Sequence, residues 1–126
     1  RDADGTLKLK HPRRIFCDRE GMPLQLSPKK AGGSGRRKIC MVDYDMDGKV
    51  DLLLNSRNVA FYKQIKTEDG KYYFQNMGNL DSRHLAGHST CPTVADFNQD
   101  GIPDVVVGAE DGRFYYLRNP LSEERK

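Results

Sequence analysis

Two acidic stretches 53 residues apart constrain this chain more than any other feature: DYDMDGKVD over residues 43–51 and DFNQDGIPD over 96–104. Both follow the spacing D-x-[DN]-x-D-G-x-x-D, with Gly48 or Gly101 at the sixth position and Asp51 or Asp104 at the ninth. One such stretch reads as an Asx-rich hairpin turn. Two with the same glycine and the same ninth aspartate read as a repeated unit, and a period of this size belongs to propeller blades and solenoids.

The flanking residues share a frame, ICMVDYDMDGKVDLLLNSRNVAFYKQ in the first copy and PTVADFNQDGIPDVVVGAEDGRFYYLRNP in the second. A short apolar run, Ile39 to Val42 or Thr93 to Ala95, enters each acidic loop. A second run, Leu52 to Leu54 or Val105 to Val107, leaves it, and continuous apolar residues bounded by turns describe a strand buried on both faces. The turns Ser56-Arg57-Asn58 and Glu110-Asp111-Gly112 lead into third strands at Val59 to Lys63 and Phe114 to Leu117. In the first copy Thr67-Glu68-Asp69-Gly70 turns the chain into a fourth strand at Tyr72, Tyr73 and Phe74.

Repeated units of four antiparallel strands predict an all-β fold of β-propeller blades. The N-terminal third fits the same scheme if Asp4-Gly5 is a turn, Leu7 and Leu9 a third strand, and Met22 to Leu26 part of a fourth. The expected organisation is about two blades plus part of a third. Residues 1–38 end one blade and carry a basic connection, 39–79 form a complete blade, and 80–126 supply a connection and three strands of the next. Unpaired strands at both ends call for partners, either the remaining blades of the same propeller or other copies of the chain. Arg1 in place of methionine reads as the start of a processed or excised segment, with any targeting peptide outside it.

The acidic spacing has a chemical reading. Side-chain oxygens fall at loop positions 1, 3, 5 and 9, and a backbone carbonyl is available at position 7 from Lys49 or Ile102. Ca2+ takes six to eight hard oxygens, and a glycine at position 6 permits the sharp turn around it. An EF-hand needs a bidentate glutamate at position 12, where this chain has Leu54 and Val107. Magnesium resists an all-protein cage, and transition metals favour imidazole or thiolate, absent from both loops. Four ionised aspartates in one turn repel each other unless a cation lies among them.

VDYDMDGKVDLLL and ADFNQDGIPDVVVG resemble the FG-GAP or VCBS repeats of integrin-α-like calcium-binding β-propellers, over roughly residues 39–119. The resemblance implies calcium ligation by Asp43, Asp45, Asp47, Lys49 and Asp51, and by Asp96, Asn98, Asp100, Ile102 and Asp104. It also implies an extracellular or periplasmic setting. With an amide replacing one carboxylate, the second site is expected to be the weaker. Phe-Gly and Gly-Ala-Pro elements are absent as written, only Gly108-Ala109 remaining, which is closer to the bacterial VCBS branch.

Composition narrows the rest. No apolar run approaches the length of a membrane span, and Cys17, Cys40 and Cys91 are too few and too far apart for a disulfide framework or zinc cluster, so they read as buried free thiols. A formal charge of +3 without a recognisable basic module excludes nucleic acid as the expected partner. The cations gather in the connections between blades: Lys29, Lys30, Arg36, Arg37 and Lys38 in one, Arg83, His84 and His88 in the other. A basic mouth suits an anionic ligand such as an acidic polysaccharide. The primary expectation is a calcium-stabilised module that binds carbohydrate or acts as a scaffold. A uronate-polysaccharide lyase is the alternative, with His88 or His84 as base and Arg83 on the carboxylate; a protein-binding adhesion module is the second alternative. Tyr72, Tyr73, Tyr115 and Tyr116, at strand spacing, read as packing between blades before sugar stacking.

Overall fold

The structure is a computed structural model that describes residues 3–26, 37–85 and 90–124. Eight strands and one short helix follow in chain order: β1 Phe16–Cys17, β2 Ile39–Val42, β3 Asp51–Asn55, β4 Val59–Glu68, β5 Lys71–Asn79, β6 Thr90–Ala95, β7 Asp104–Ala109, β8 Phe114–Leu117 and α1 Leu121–Glu124. They form two sheets, ordered β1-β5-β4-β3-β2 and β6-β7-β8.

Strands β2 to β5 are a four-stranded antiparallel meander, the expected blade. Its register runs from Ile39 opposite Leu54 to Glu68 opposite Lys71. Strand β3 is buried along its whole length, as its uninterrupted leucines require of a central strand covered on both faces. The β4–β5 hairpin closes through Asp69 and Gly70, with φ of 51° and 71°. Two successive residues at positive φ match the right-handed twist of the strands they join. Strands β6 to β8 repeat the first three of this meander, with Thr90 opposite Ala109 and Val107 opposite Tyr115.

Residues of alternate parity in β3 serve two cores, because successive side chains of a strand point to opposite faces. Leu53, with Tyr44 and Val59, packs against Val105 and Val107 of the second sheet, joined by Phe61, Val94, Tyr115 and Leu117 at the margin. Leu52 and Leu54 turn the other way and bury with Phe74 beneath Phe16, Leu24 and Leu26. The first sheet is thus covered on one face by the second sheet and on the other by the N-terminal segment.

That segment departs from the expected strand order. Leu7 and Leu9 are 74% and 90% exposed and lie in no strand, since no described strand is placed to pair with them. Residues 22–26 contribute a single antiparallel bridge, Cys17 with Pro23. The chain instead adds β1 in parallel to the outer edge of β5, Phe16 opposite Tyr72 and Cys17 opposite Tyr73. An open sheet edge is a row of unpaired donors and acceptors. Here Tyr72 N–H donates to Ile15 O at 2.8 Å, while the Phe16 ring meets Phe74 edge-on at 5.3 Å.

The cysteines are free, but only Cys17 is buried; Cys40 is half-buried and Cys91 is exposed. Cys91 points away from the shared core because β6 directs Thr90 and Pro92 inward.

Candidate metal centre

Each acidic stretch forms the loop between the first two strands of its sheet, and the two loops are held by the same hydrogen bonds. Asp43 accepts from the backbone N–H groups of Asp47 at 3.0 Å and Gly48 at 2.9 Å. Asp96 accepts from Asp100 and Gly101, both at 2.9 Å. At the third position Asp45 takes the N–H of Asp47 at 3.3 Å, and Asn98 that of Asp100 at 3.1 Å. At the fifth, Asp47 takes the N–H of Lys49 and Asp100 that of Ile102, each at 2.9 Å.

The backbone makes these bonds by turning left-handed twice. Gly48 and Gly101 sit at φ of 88° and 83°, as their place in the motif requires, and Met46 and Gln99 sit at 60° and 61°. The latter pair carry side chains in a region that costs such residues energy. Both loops accept this at the same position.

The ninth aspartates are fully buried and knit each loop to its sheet. Asp51 accepts from the N–H groups of Tyr44 at 3.1 Å and Gln64 at 2.8 Å. Burial pushes its carboxyl up from the ordinary carboxylate range, against the pull of these two bonds. Asp104 accepts from Asn119 N–H at 2.8 Å and the Tyr116 hydroxyl at 2.7 Å.

In the first loop, oxygens of Asp43, Asp45 and Asp51 lie within 4.8 Å of one another. Oxygens on opposite sides of a calcium ion, each about 2.3–2.6 Å from it, are about 4.6–5.2 Å apart. The converging set therefore has the dimensions and the hard-oxygen chemistry of such a site. Asp47 stands outside this trio, drawn toward two ammonium groups: Lys63 Nζ at 3.0 Å and Lys49 Nζ at 3.3 Å. Its carboxyl is held down at about 2, first by the Lys63 hydrogen bond and then by the Lys49 N–H. Among the described residues the second loop gathers no equivalent trio of carboxylates, its third position being an amide.

With this geometry in view, the profile of the FG-GAP-like repeat family matches residues 43–107. The chain belongs to the FG-GAP-like repeat family. Its similarity to integrin alpha-E of Homo sapiens is 28% identity over 124 residues, covering 83% of this chain and 10% of the integrin. For integrin alpha-E of Mus musculus it is 34% over 85 residues, covering 56% and 7%. The chain spans a tenth or less of the length of these relatives. No solved structure matches.

The residues expected to act on a sugar fall only partly within the described residues. Arg83 Nε lies 2.6 Å from Asp81 Oδ2 on the surface, and His84 is exposed beside it. His88, Lys29, Lys30 and Arg36 fall outside the described residues, and Arg37 and Lys38 are exposed. The tyrosines are engaged: Tyr115 donates to Asp111 at 2.6 Å, Tyr116 to Asp104, and Tyr73 lies under Lys66 Nζ at 4.4 Å. Tyr72 meets Phe16 edge-on at 6.1 Å.

Two residues that bear on the loops carry no signal in the acidic motif. Lys63, on β4, reaches back to Asp45 and Asp47. Asn119, after β8, donates through Nδ2 to Tyr44 O at 2.9 Å and to Pro103 O at 3.0 Å while its own N–H binds Asp104. It joins the two FG-GAP-like loops across the sheets. Only the repeat register, which places Lys63 opposite Tyr116 in the second copy, offered a way to single out the lysine.

Proposed function

We propose that this chain is part of an extracellular, calcium-stabilised β-propeller that acts as a non-catalytic scaffold of the adhesion type. Asp43, Asp45, Asp47 and Asp51 with the Lys49 carbonyl would hold one ion, and Asp96, Asn98, Asp100 and Asp104 with the Ile102 carbonyl another. Bound calcium neutralises the crowded carboxylates and fixes the bend between the first two strands of a blade. The observation that carries this reading is the position-for-position match of hydrogen bonds in the two loops, which gives both the same ligand-presenting backbone.

The partners in this reading are further blades, from the same propeller or another copy. The first blade buries Tyr44 and packs Phe61 against the second. Their counterparts 53 residues on, Phe97 and Phe114, are 70% and 82% exposed on the second blade. A further blade would cover them as the second blade covers the first.

Thermal unfolding in excess calcium and in chelator tests the stabilisation. Two ions at a hundredfold excess over Kd contribute about 5 kcal/mol, a rise in Tm on the order of 10–20 °C for a chain of this size. An unchanged Tm would return both loops to metal-free Asx turns.

A further inference from the structure

The two loops differ at two linked places. At the third position the first has Asp45 and the second Asn98. On the third strand of the blade the first has Lys63 and the second, 53 residues later, Tyr116. The Lys63 ammonium bonds to Asp45 and lies 3.0 Å from Asp47, both acids and the lysine being half-buried. Tyr116, neutral, donates instead to Asp104. Counting side chains that face each loop, four carboxylates and the ammoniums of Lys63 and Lys49 give −2 in the first; three carboxylates, an amide, a phenol and the Arg118 charge felt at Asp100 give −2 in the second. The extra acid and the extra base occur in the same copy and touch each other.

We propose that Lys63 is a tethered counter-cation for the first loop, setting its affinity for a divalent ion by offsetting Asp45 and competing for the oxygens of Asp45 and Asp47. The inference rests on the calcium reading and refines it. Ranking the second loop as weaker counts carboxylates alone; with the cations near each loop counted, Lys63 and Lys49 at the first and Arg118 at the second, the loops present equal charge. The first loop holds its carboxylates together without metal, because it brings its own cation. The second has no ammonium bonded at its third position, where Asn98 Nδ2 donates to Asp100 at 3.0 Å, and it depends more on the ion. The rest of the motif is unaffected, since the anchoring bonds of Asp43 and Asp96 are the same in both copies.

The test is calcium titration by calorimetry on the intact chain, with the second loop disabled by Asp96→Asn so that the first is read alone. Removing a unit charge about 4 Å from a divalent ion, even at the dielectric of water, is equivalent to roughly tenfold or more in Kd. Lys63→Met is expected to tighten binding by about that factor, and Lys63→Gln to follow it, guarding against a packing effect of one substitution. In the reverse experiment, with the first loop disabled by Asp43→Asn, Tyr116→Lys is expected to weaken the second loop comparably. Calcium binding that is unchanged or weaker in both Lys63 variants overturns this inference and leaves the calcium reading intact. No binding in any variant, nor in the unsubstituted chain, overturns both.

Discussion

Tyr44 and Phe97 stand at the second position of equivalent loops, yet Tyr44 is 6% exposed and Phe97 is 70% exposed. Their loops share a backbone and a hydrogen-bond pattern, so local structure does not account for the difference. The cause is the neighbour. Tyr44 lies against the second sheet, its ring 5.4 Å from Phe61, and burial there pushes its hydroxyl up to about 12. Phe97 occupies the corresponding place on a blade whose outer face is open, beside Tyr116 at 5.8 Å. Comparable residues in two blades therefore measure what a blade gains by having a successor: burial of an aromatic ring at the loop and of the apolar face below it.

Substitutions can break this comparison. Tyr44→Ala should cost about 3–5 kcal/mol, the range for emptying a buried aromatic site, whereas Phe97→Ala should stay within about 0.5 kcal/mol, as for an exposed position. Urea unfolding of the two variants measures both. Equal costs would mean that the second blade is covered in solution. In a chain extended by one blade, the Phe97 variant is expected to acquire a cost of the Tyr44 kind.

A smaller effect is expected at Asn119, which ties Tyr44 O to Asp104. Asn119→Ala leaves buried partners unpaired, each such group costing about 1–3 kcal/mol. Because the lost Nδ2 bonds reach Tyr44 O in the first blade and Pro103 O in the second, while the backbone bond to Asp104 stays, amide exchange should quicken in both loops. Quickening in the second alone would show that the bridge does not couple them.

The smallest effect separates the loops by charge. In the metal-free chain the Asp47 carboxyl, held at about 2, favours the folded state at pH above its ordinary value of 3.8. That contribution is lost as pH falls from 3.8 through about 2, because protonation breaks the bond to Lys63. Carboxyl NMR of Lys63→Met should show Asp47 titrating nearer its ordinary value. An unmoved titration would assign the shift to Lys49, through its N–H and its ammonium.

Much of this architecture was legible in the chain. The paired loops, the buried leucines of β3, the valines of β7 and the Asp69-Gly70 turn all depend on residues within a few positions of each other, and each fell where patterning placed it. What escaped depends on distant contacts. Leu7 and Leu9 alternate as a strand does, but alternation says nothing about whether a partner strand is at hand. Strand β1 is two residues long, too short for any period, and its pairing joins Phe16 to Tyr72 across most of a blade. Lys63 and Asn119 reach the loops from other strands or beyond them, so the acidic motif, read by itself, shows neither the ammonium that reaches Asp45 nor the bridge to the neighbouring loop. The ion pair of Arg83 with Asp81, two residues away, was within reach of the sequence but carries no repeat signal.

The proposal that most needs testing is two cation cages, one in each loop of this FG-GAP-like chain, on consecutive blades. Native mass spectrometry across a calcium titration counts the ions directly. Two calcium ions per chain are expected at saturation, falling to one when Asp96 is changed to Asn and to one when Asp43 is. A chain that retains no calcium at any concentration would leave both loops as metal-free turns.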